Sequence, residues 1–180
     1  MNTDYSGTLL VTGGCRSGKS GYAQRWAEAQ SGPRIFLATA EALDTEMSRR
    51  IGRHKARRGP EWCTVEEPLE VLEALNGLMA TTPRPGVVLL DCVTLWISNL
   101  MGRRVPDKSI LNRVSGLAAV MPNLPCNLAV VTNEVGWGLV PGDPVSRRFR
   151  DLAGEANQIL AAAADEVVCM VSGLAMRVKG

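Results

Sequence analysis

Five short runs of the chain are apolar on successive residues: Leu9–Thr12, Ile35–Thr39, Val87–Asp91, Leu128–Thr132 and Glu166–Val171. Runs of this length, rich in Val, Leu and Ile without alternation, predict strands buried on both faces. Between them lie Lys19–Gln30, Asp44–Arg57, Pro68–Met79, Val93–Met101, Ser109–Met121 and Val145–Ala164, whose apolar residues recur at helical spacing. Strand–helix alternation of this kind predicts an α/β fold, a mostly parallel sheet flanked by helices. A turn at Ser172–Gly173 leads into Met176–Lys179, read as an edge strand. The boundaries have chemical causes. Gly32–Pro33 and Gly59–Pro60 stop the first two helices, Pro83, Pro85 and Gly86 precede the third strand, and Pro122 and Pro125 precede the fourth. No repeat, low-complexity tract or linker interrupts the pattern, so a single domain over residues 1–180 is expected.

Composition narrows the partners. The chain is 46% apolar and 21% charged, as ordinary globular domains are, with a net charge of +2. That charge is too small to argue for nucleic acid or a membrane surface. No stretch approaches the roughly 20 apolar residues of a membrane span. The N-terminal MNTDYSGTLLVTGG carries an acid and lacks the basic region of a signal peptide. The five cysteines (Cys15, Cys63, Cys92, Cys126, Cys169) form no C-x-x-C pair, which argues against a zinc site or a disulfide framework. A cytoplasmic location is expected. With only two Phe, two Tyr and four Trp, the core must be built mostly from Leu, Val, Ala and Ile.

The first strand runs into Gly13-Gly14-Cys15-Arg16-Ser17-Gly18-Lys19-Ser20, which fits G-x-x-x-x-G-K-[ST] between a strand and a helix. Glycines let backbone N–H groups curl around phosphate oxygens, and the helix behind points its positive end at them. Lys19 is expected on the β- and γ-phosphates and the Ser20 hydroxyl on Mg²⁺. A magnesium site also calls for a carboxylate at a neighbouring strand end, and Val87-Val88-Leu89-Leu90-Asp91 supplies one. Asp91 also stands where it could cap the next helix.

The loop alone does not choose a reaction. The N-K-x-D base-reading motif of regulatory GTPases is replaced by Thr132-Asn133-Glu134, and the Arg-rich segment from Arg49 to Arg58 follows the second strand instead of a later one. Within it stands the one histidine of the chain, His54. On a helix Met47, Ile51 and His54 share a face, with Arg50, Arg53 and Arg57 on the adjacent one. An imidazole held against the body of the protein beside cations stays neutral and keeps a nucleophilic lone pair. Attack on phosphorus would give a phosphoramidate, a sensible covalent intermediate in nucleotidyl transfer. Residue chemistry alone leaves a second reading open, in which His54 packs a solvated basic helix. Glu134 is likewise open between orienting a substrate, ligating a metal and capping structure.

Several further segments carry a resemblance. They are Thr12–Ser20, Ala38-Thr39-Ala40, Arg50-Ile51-x-x-His54, Asp91–Leu100, Thr132–Pro141, Phe149–Gly154 with Asn157-Gln158, and Ala164–Val167. Together, over nearly the whole chain, they resemble the adenosylcobinamide kinase / adenosylcobinamide-phosphate guanylyltransferases. The resemblance implies a RecA-like P-loop fold, homotrimers, and two successive reactions. First, ATP or GTP phosphorylates adenosylcobinamide; GMP from GTP is then carried on a histidine to that phosphate. It puts the guanylylated histidine at His54 and GTP contacts at Gly13, Gly14, Cys15, Arg16, Ser17, Gly18, Lys19, Ser20, Ala38, Thr39, Ala40, Lys55, Ala56, Arg57, Arg58, Glu66 and Asp91. Two departures stand out: Cys15 where alanine is commoner, and a shorter stretch at Gly102–Ser109. Two readings of the same residues compete: a P-loop small-molecule kinase without nucleotidyl transfer, and a non-catalytic nucleotide-gated interaction module.

Overall fold

The computed structural model describes residues 7–42 and 45–180, with side chains at all of these positions except 46, 47, 50, 53, 54 and 57. In chain order the elements are β1 (Thr8–Gly13), α1 (Lys19–Glu28), β2 (Arg34–Ala38), α2 (Thr45–Arg57), β3 (Trp62–Glu66), α3 (Val71–Met79), β4 (Val87–Asp91), α4 (Val93–Gly102), α5 (Asp107–Val120), β5 (Asn127–Val131), α6 (Pro144–Ala163), β6 (Glu166–Val171) and β7 (Leu174–Lys179). The strands form one sheet in the order β3-β2-β4-β5-β1-β6-β7. Every neighbouring pair is parallel except β6 with β7, which pair antiparallel as a hairpin.

The expected α/β architecture is therefore present, and the five anticipated strands all form. Alternate residues of the central strands feed two separate cores, as the two-residue period of a strand requires. Leu9, Val11, Leu89, Ala129 and Val131 pack with Ala23 and Ala27 of α1 on one face. Leu10, Val88, Leu90, Leu128 and Val130 pack on the other against Trp96, Ile97, Ile110, Val114, Leu117, Leu152 and Leu160 from α4, α5 and α6. The composition is the aliphatic one expected. The aromatic exceptions are Phe36, Trp62 and Trp96, the last 1% exposed, with its indole N–H donated to the Leu69 carbonyl at 2.8 Å.

Two differences from the pattern-based reading have local causes. β3 was not anticipated, because an edge strand that pairs with β2 alone buries only Trp62 fully and leaves Cys63 and Glu66 exposed. Its anchor is the edge-to-face contact of Trp62 with Phe36, ring centres 6.3 Å apart. α3 starts at Val71 rather than at Pro68, because the Glu67 carboxylate accepts the backbone N–H groups of Leu69 and Glu70, both at 2.9 Å, and closes a turn there. The expected start of the second helix at Asp44 lies outside the described residues.

Candidate functional site

Parallel register brings distant segments together. On one rung of the sheet Ala38 pairs with both Glu66 and Asp91, Asp91 with Val131, and Val131 with Val11. This rung is the C-terminal end of the parallel strands, where open α/β sheets offer their ligand crevice. The glycine-rich loop leaves β1 here, Thr39 and Ala40 leave β2, and Thr132–Glu134 leave β5.

The loop has the shape that phosphate requires. Gly13 sits at φ 138°, and a Cβ there would lie 2.3 Å from the Met170 carbonyl oxygen, so only glycine fits against β6. Gly18, at φ 98°, turns the chain into α1 and offers no side-chain cap, and no acid occupies the first turn of that helix. An uncapped helix N-terminus with a glycine-rich entry is a ready anion site. The Gly173 N–H donates to the Ser17 carbonyl at 3.0 Å, which ties the loop to the β6–β7 turn. Lys19 is buried, its ammonium donating to the Gly14 carbonyl at 2.6 Å and reaching Ser17 Oγ at 3.4 Å. Burial pushes its pKa below the ordinary lysine value, and the nearby Cys92 and Asp91 oppose that shift. An anion in the loop would oppose the shift further.

Asp91 ends β4 half-buried, within electrostatic reach of both Lys19 and Arg58. Ser20 is half-buried in the first turn of α1. At the far side of the rung, the Lys55 ammonium pairs with the Glu66 carboxylate. Arg58 lies over the Phe36 ring, 3.5 Å from its centre, and one of its guanidinium nitrogens, Nη1, is buried without a hydrogen-bond partner among the described residues. Burial lowers its pKa, while Asp91 and Glu66 pull it back up. Buried donors left open are uncommon in folded proteins, and Arg34 Nε is a second one among the described residues. The C-terminal end of α2 is thus pinned beside Asp91, and His54 is the residue before Lys55 in that helix. The face that the His54 imidazole presents, like those of Met47, Arg50, Arg53 and Arg57, lies outside the described residues.

Thr39 behaves differently from its neighbours in the expected set. It is fully buried, its hydroxyl donates to the Cys92 carbonyl and accepts the Cys92 N–H, both at 2.8 Å, and its carbonyl accepts from Asn99 at 2.7 Å. It fastens β2 to the β4–α4 junction, while Ala38 and Ala40 on either side stay half-buried at the rim.

A polar cluster that residue spacing did not bring together sits beside the loop. Thr12 Oγ1 donates to Glu134 Oε1 at 2.6 Å, Asn157 Nδ2 donates to the same oxygen at 3.1 Å, and the Glu134 N–H donates to the Gly13 carbonyl at 3.0 Å. Thr132 and the Asn133 carbonyl complete the bonds of Asn157. A cleft of about 360 Å³ opens next to this cluster, lined by Glu134, Gly136, Arg150, Asp151, Asn157 and Gln158 among others. Trp137, in the glycine-rich stretch after β5, is 66% exposed.

A glycine loop with a buried lysine and a strand-end carboxylate two strands away define a P-loop nucleotide-binding fold. The KaiC-like protein of Pyrococcus horikoshii shares that architecture, with a TM-score of 0.53 at 17% identity, covering 91% of this chain and 70% of that one. Sequence narrows the class: the chain belongs to the cobinamide kinase / cobinamide phosphate guanyltransferase family, whose model matches residues 9–178. It is 40% identical over 184 residues to the bifunctional adenosylcobalamin biosynthesis protein CobU of Escherichia coli, covering 95% of this chain and 99% of that protein. The CobU protein of Salmonella typhimurium is also 40% identical, with the same coverage. The bifunctional adenosylcobalamin biosynthesis protein CobP of Pseudomonas aeruginosa is 42% identical over 173 residues, covering 95% and 96% of the two chains.

The thiols provide a probe of the loop. Cys15 and Cys63 are exposed, whereas Cys92 and Cys126 are buried. Burial pushes both of the latter up to about 11, so they stay protonated and unreactive at neutral pH. Iodoacetamide should therefore label Cys15 and Cys63 in the folded protein and reach Cys92 and Cys126 only after unfolding. Saturating GTP should protect Cys15 and leave Cys63 reactive, read by peptide mass spectrometry. Equal labelling of Cys15 with and without GTP would contradict nucleotide binding at this loop.

Proposed function

We propose that this chain is a bifunctional enzyme of cobalamin biosynthesis. It phosphorylates adenosylcobinamide with ATP or GTP and then transfers GMP from GTP, through a guanylyl-histidine, to give adenosylcobinamide-GDP. The observation that carries the reading is the convergence on one sheet edge of the Lys19 loop, Asp91 and the basic C-terminal end of α2 with Glu66. In this reading Gly13–Ser20 cradle the phosphates, Lys19 neutralises charge on the β- and γ-oxygens, and Ala38–Ala40, Lys55–Arg58 and Glu66 hold the rest of the nucleotide. His54 is the nucleophile toward the α-phosphorus, attacking as pyrophosphate departs.

Ser20 and Asp91 would hold Mg²⁺. The fit is that of a site with few protein ligands. Among the described residues no group of three His, Cys, Asp or Glu side chains gathers as a metal cage, and a magnesium ion at phosphates takes one or two protein oxygens and completes its shell from nucleotide and water. When bound it would supply positive charge to offset that of the nucleotide's phosphates. The substrate is a corrinoid, no helix among the described residues is long and apolar enough to cross a membrane, and the enzyme works as a single catalytic domain, in the cytoplasm, as a homotrimer.

The test is to supply adenosylcobinamide with ATP, then GTP, and follow the corrinoid by liquid chromatography and mass spectrometry. Sequential gain of a phosphate and then of a GMP unit, with pyrophosphate released, is the expected result. A phosphorylated corrinoid that accumulates with GTP present would leave only the small-molecule kinase.

A further inference from the structure

Among the residues beside the loop, Glu134 has a geometry that none of the roles above uses. Its Oε1 is already committed, accepting from Thr12 at 2.6 Å and Asn157 at 3.1 Å, which fixes the rotation of the carboxylate. Its Oε2 has no partner among the described residues. The backbone is fixed as well, because the Glu134 N–H is bonded to the carbonyl of Gly13, the first loop residue. The carboxylate is half-buried and forms part of the wall of the 360 Å³ cleft. One side chain therefore joins the strand that feeds the phosphate loop to the cleft beside it. Thr12 and Asn157, themselves buried, hold it there at the expense of their own hydrogen-bonding capacity.

That cleft is too small to enclose a corrin macrocycle and has room for a flexible arm of a few heavy atoms. Its lining by Arg150, Asn157 and Gln158 suits a polar amide and hydroxyl.

We propose that this cleft receives the hydroxyl-bearing arm of the corrinoid, and that Glu134 Oε2 accepts the proton of that hydroxyl during phosphorylation. The step balances as follows. The O–H bond breaks with its proton passing to Oε2, the freed oxygen forms a bond to the γ-phosphorus, and the bond from that phosphorus to the β,γ-bridging oxygen breaks. The bridging oxygen leaves with the electron pair as the nucleoside diphosphate, and Glu134 later releases the proton to solvent. The guanylyl step needs no such base, since in this reading the attacking group on GTP is the imidazole of His54 and the acceptor is already a phosphate. Glu134 is thus specific to the first reaction. This inference rests on the bifunctional assignment above.

Glu134→Gln separates the roles, because the amide oxygen still accepts from Thr12 and Asn157 while the proton acceptor is removed. The kinase kcat with adenosylcobinamide should fall about 10²-fold or more. GTP affinity, guanylylation of His54 and transfer to preformed adenosylcobinamide-phosphate should remain at wild-type levels. Glu134→Asp should recover part of the kinase rate, and both variants should melt near the wild type. Two outcomes overturn the proposal: a Glu134→Gln kinase rate equal to wild type, or a parallel loss of GTP binding and His54 labelling, which would make Glu134 a nucleotide or metal ligand. A wild-type protein active in neither reaction would overturn the underlying assignment as well.

Discussion

His54→Ala should abolish guanylyl transfer while leaving the kinase reaction within a few-fold of wild type. With His54 gone the guanylyl group has no covalent carrier, since no other histidine exists in the sequence. Loss of an enzyme's nucleophile costs on the order of 10⁴- to 10⁶-fold in rate. The kinase reaction asks nothing of an imidazole in this account. It depends on Lys19 and Ser20 at the start of α1, Asp91 at the end of β4 and Glu134 just after β5, whereas His54 lies in α2. The two half-reactions are measured separately, by phosphate transfer to adenosylcobinamide and by pyrophosphate release with preformed adenosylcobinamide-phosphate. Equal loss of both would contradict the division of labour between the loop and α2.

Lys19→Ala should lose both activities, each by roughly 10²-fold or more, the usual effect of removing a group that stabilises developing charge. The reason is shared use of one loop. In the kinase step the ammonium offsets charge on the transferring phosphoryl group, and in the guanylyl step on the departing pyrophosphate. Stability should respond in the opposite sense. Burial holds the Lys19 pKa below its ordinary value, so the folded state binds this proton less tightly than the unfolded chain does. The buried charge therefore opposes folding at neutral pH, an opposition relieved as pH rises toward the unfolded lysine value. Lys19→Ala should melt no lower than wild type, as expected where a residue is retained for function at a cost in stability. A variant that melts well below wild type, or one that keeps either activity, would show that Lys19 serves the fold instead.

What the sequence revealed and what it concealed follow from how local each signal is. The phosphate loop is legible because its chemistry lies in eight consecutive residues between a strand and a helix. Asp91 is legible because four apolar residues before an acid describe a buried strand meeting the sheet edge. β3 escaped notice because an edge strand covered on one side carries only Trp62 as a buried anchor. The Thr12–Glu134–Asn157 cluster could not be assembled from spacing. Its members are separated by 122 and 23 positions, and they meet only through the parallel pairing of β1 with β5 and the return of α6 over the same edge. The two bonds between the Thr39 hydroxyl and the Cys92 backbone span 53 positions and are equally beyond the reach of residue spacing.

The central claim, that one nucleotide site serves phosphoryl transfer and guanylyl transfer through His54, is tested most directly by labelling the protein with GTP. The label is placed on either the α- or the γ-phosphate, with wild type compared to His54→Ala. The account predicts an acid-labile, covalently retained label from α-labelled GTP only, present in wild type, absent in the variant, and recovered on the peptide containing His54. Retention of the γ-label, absence of any label in wild type, or an α-label that persists in His54→Ala would contradict it.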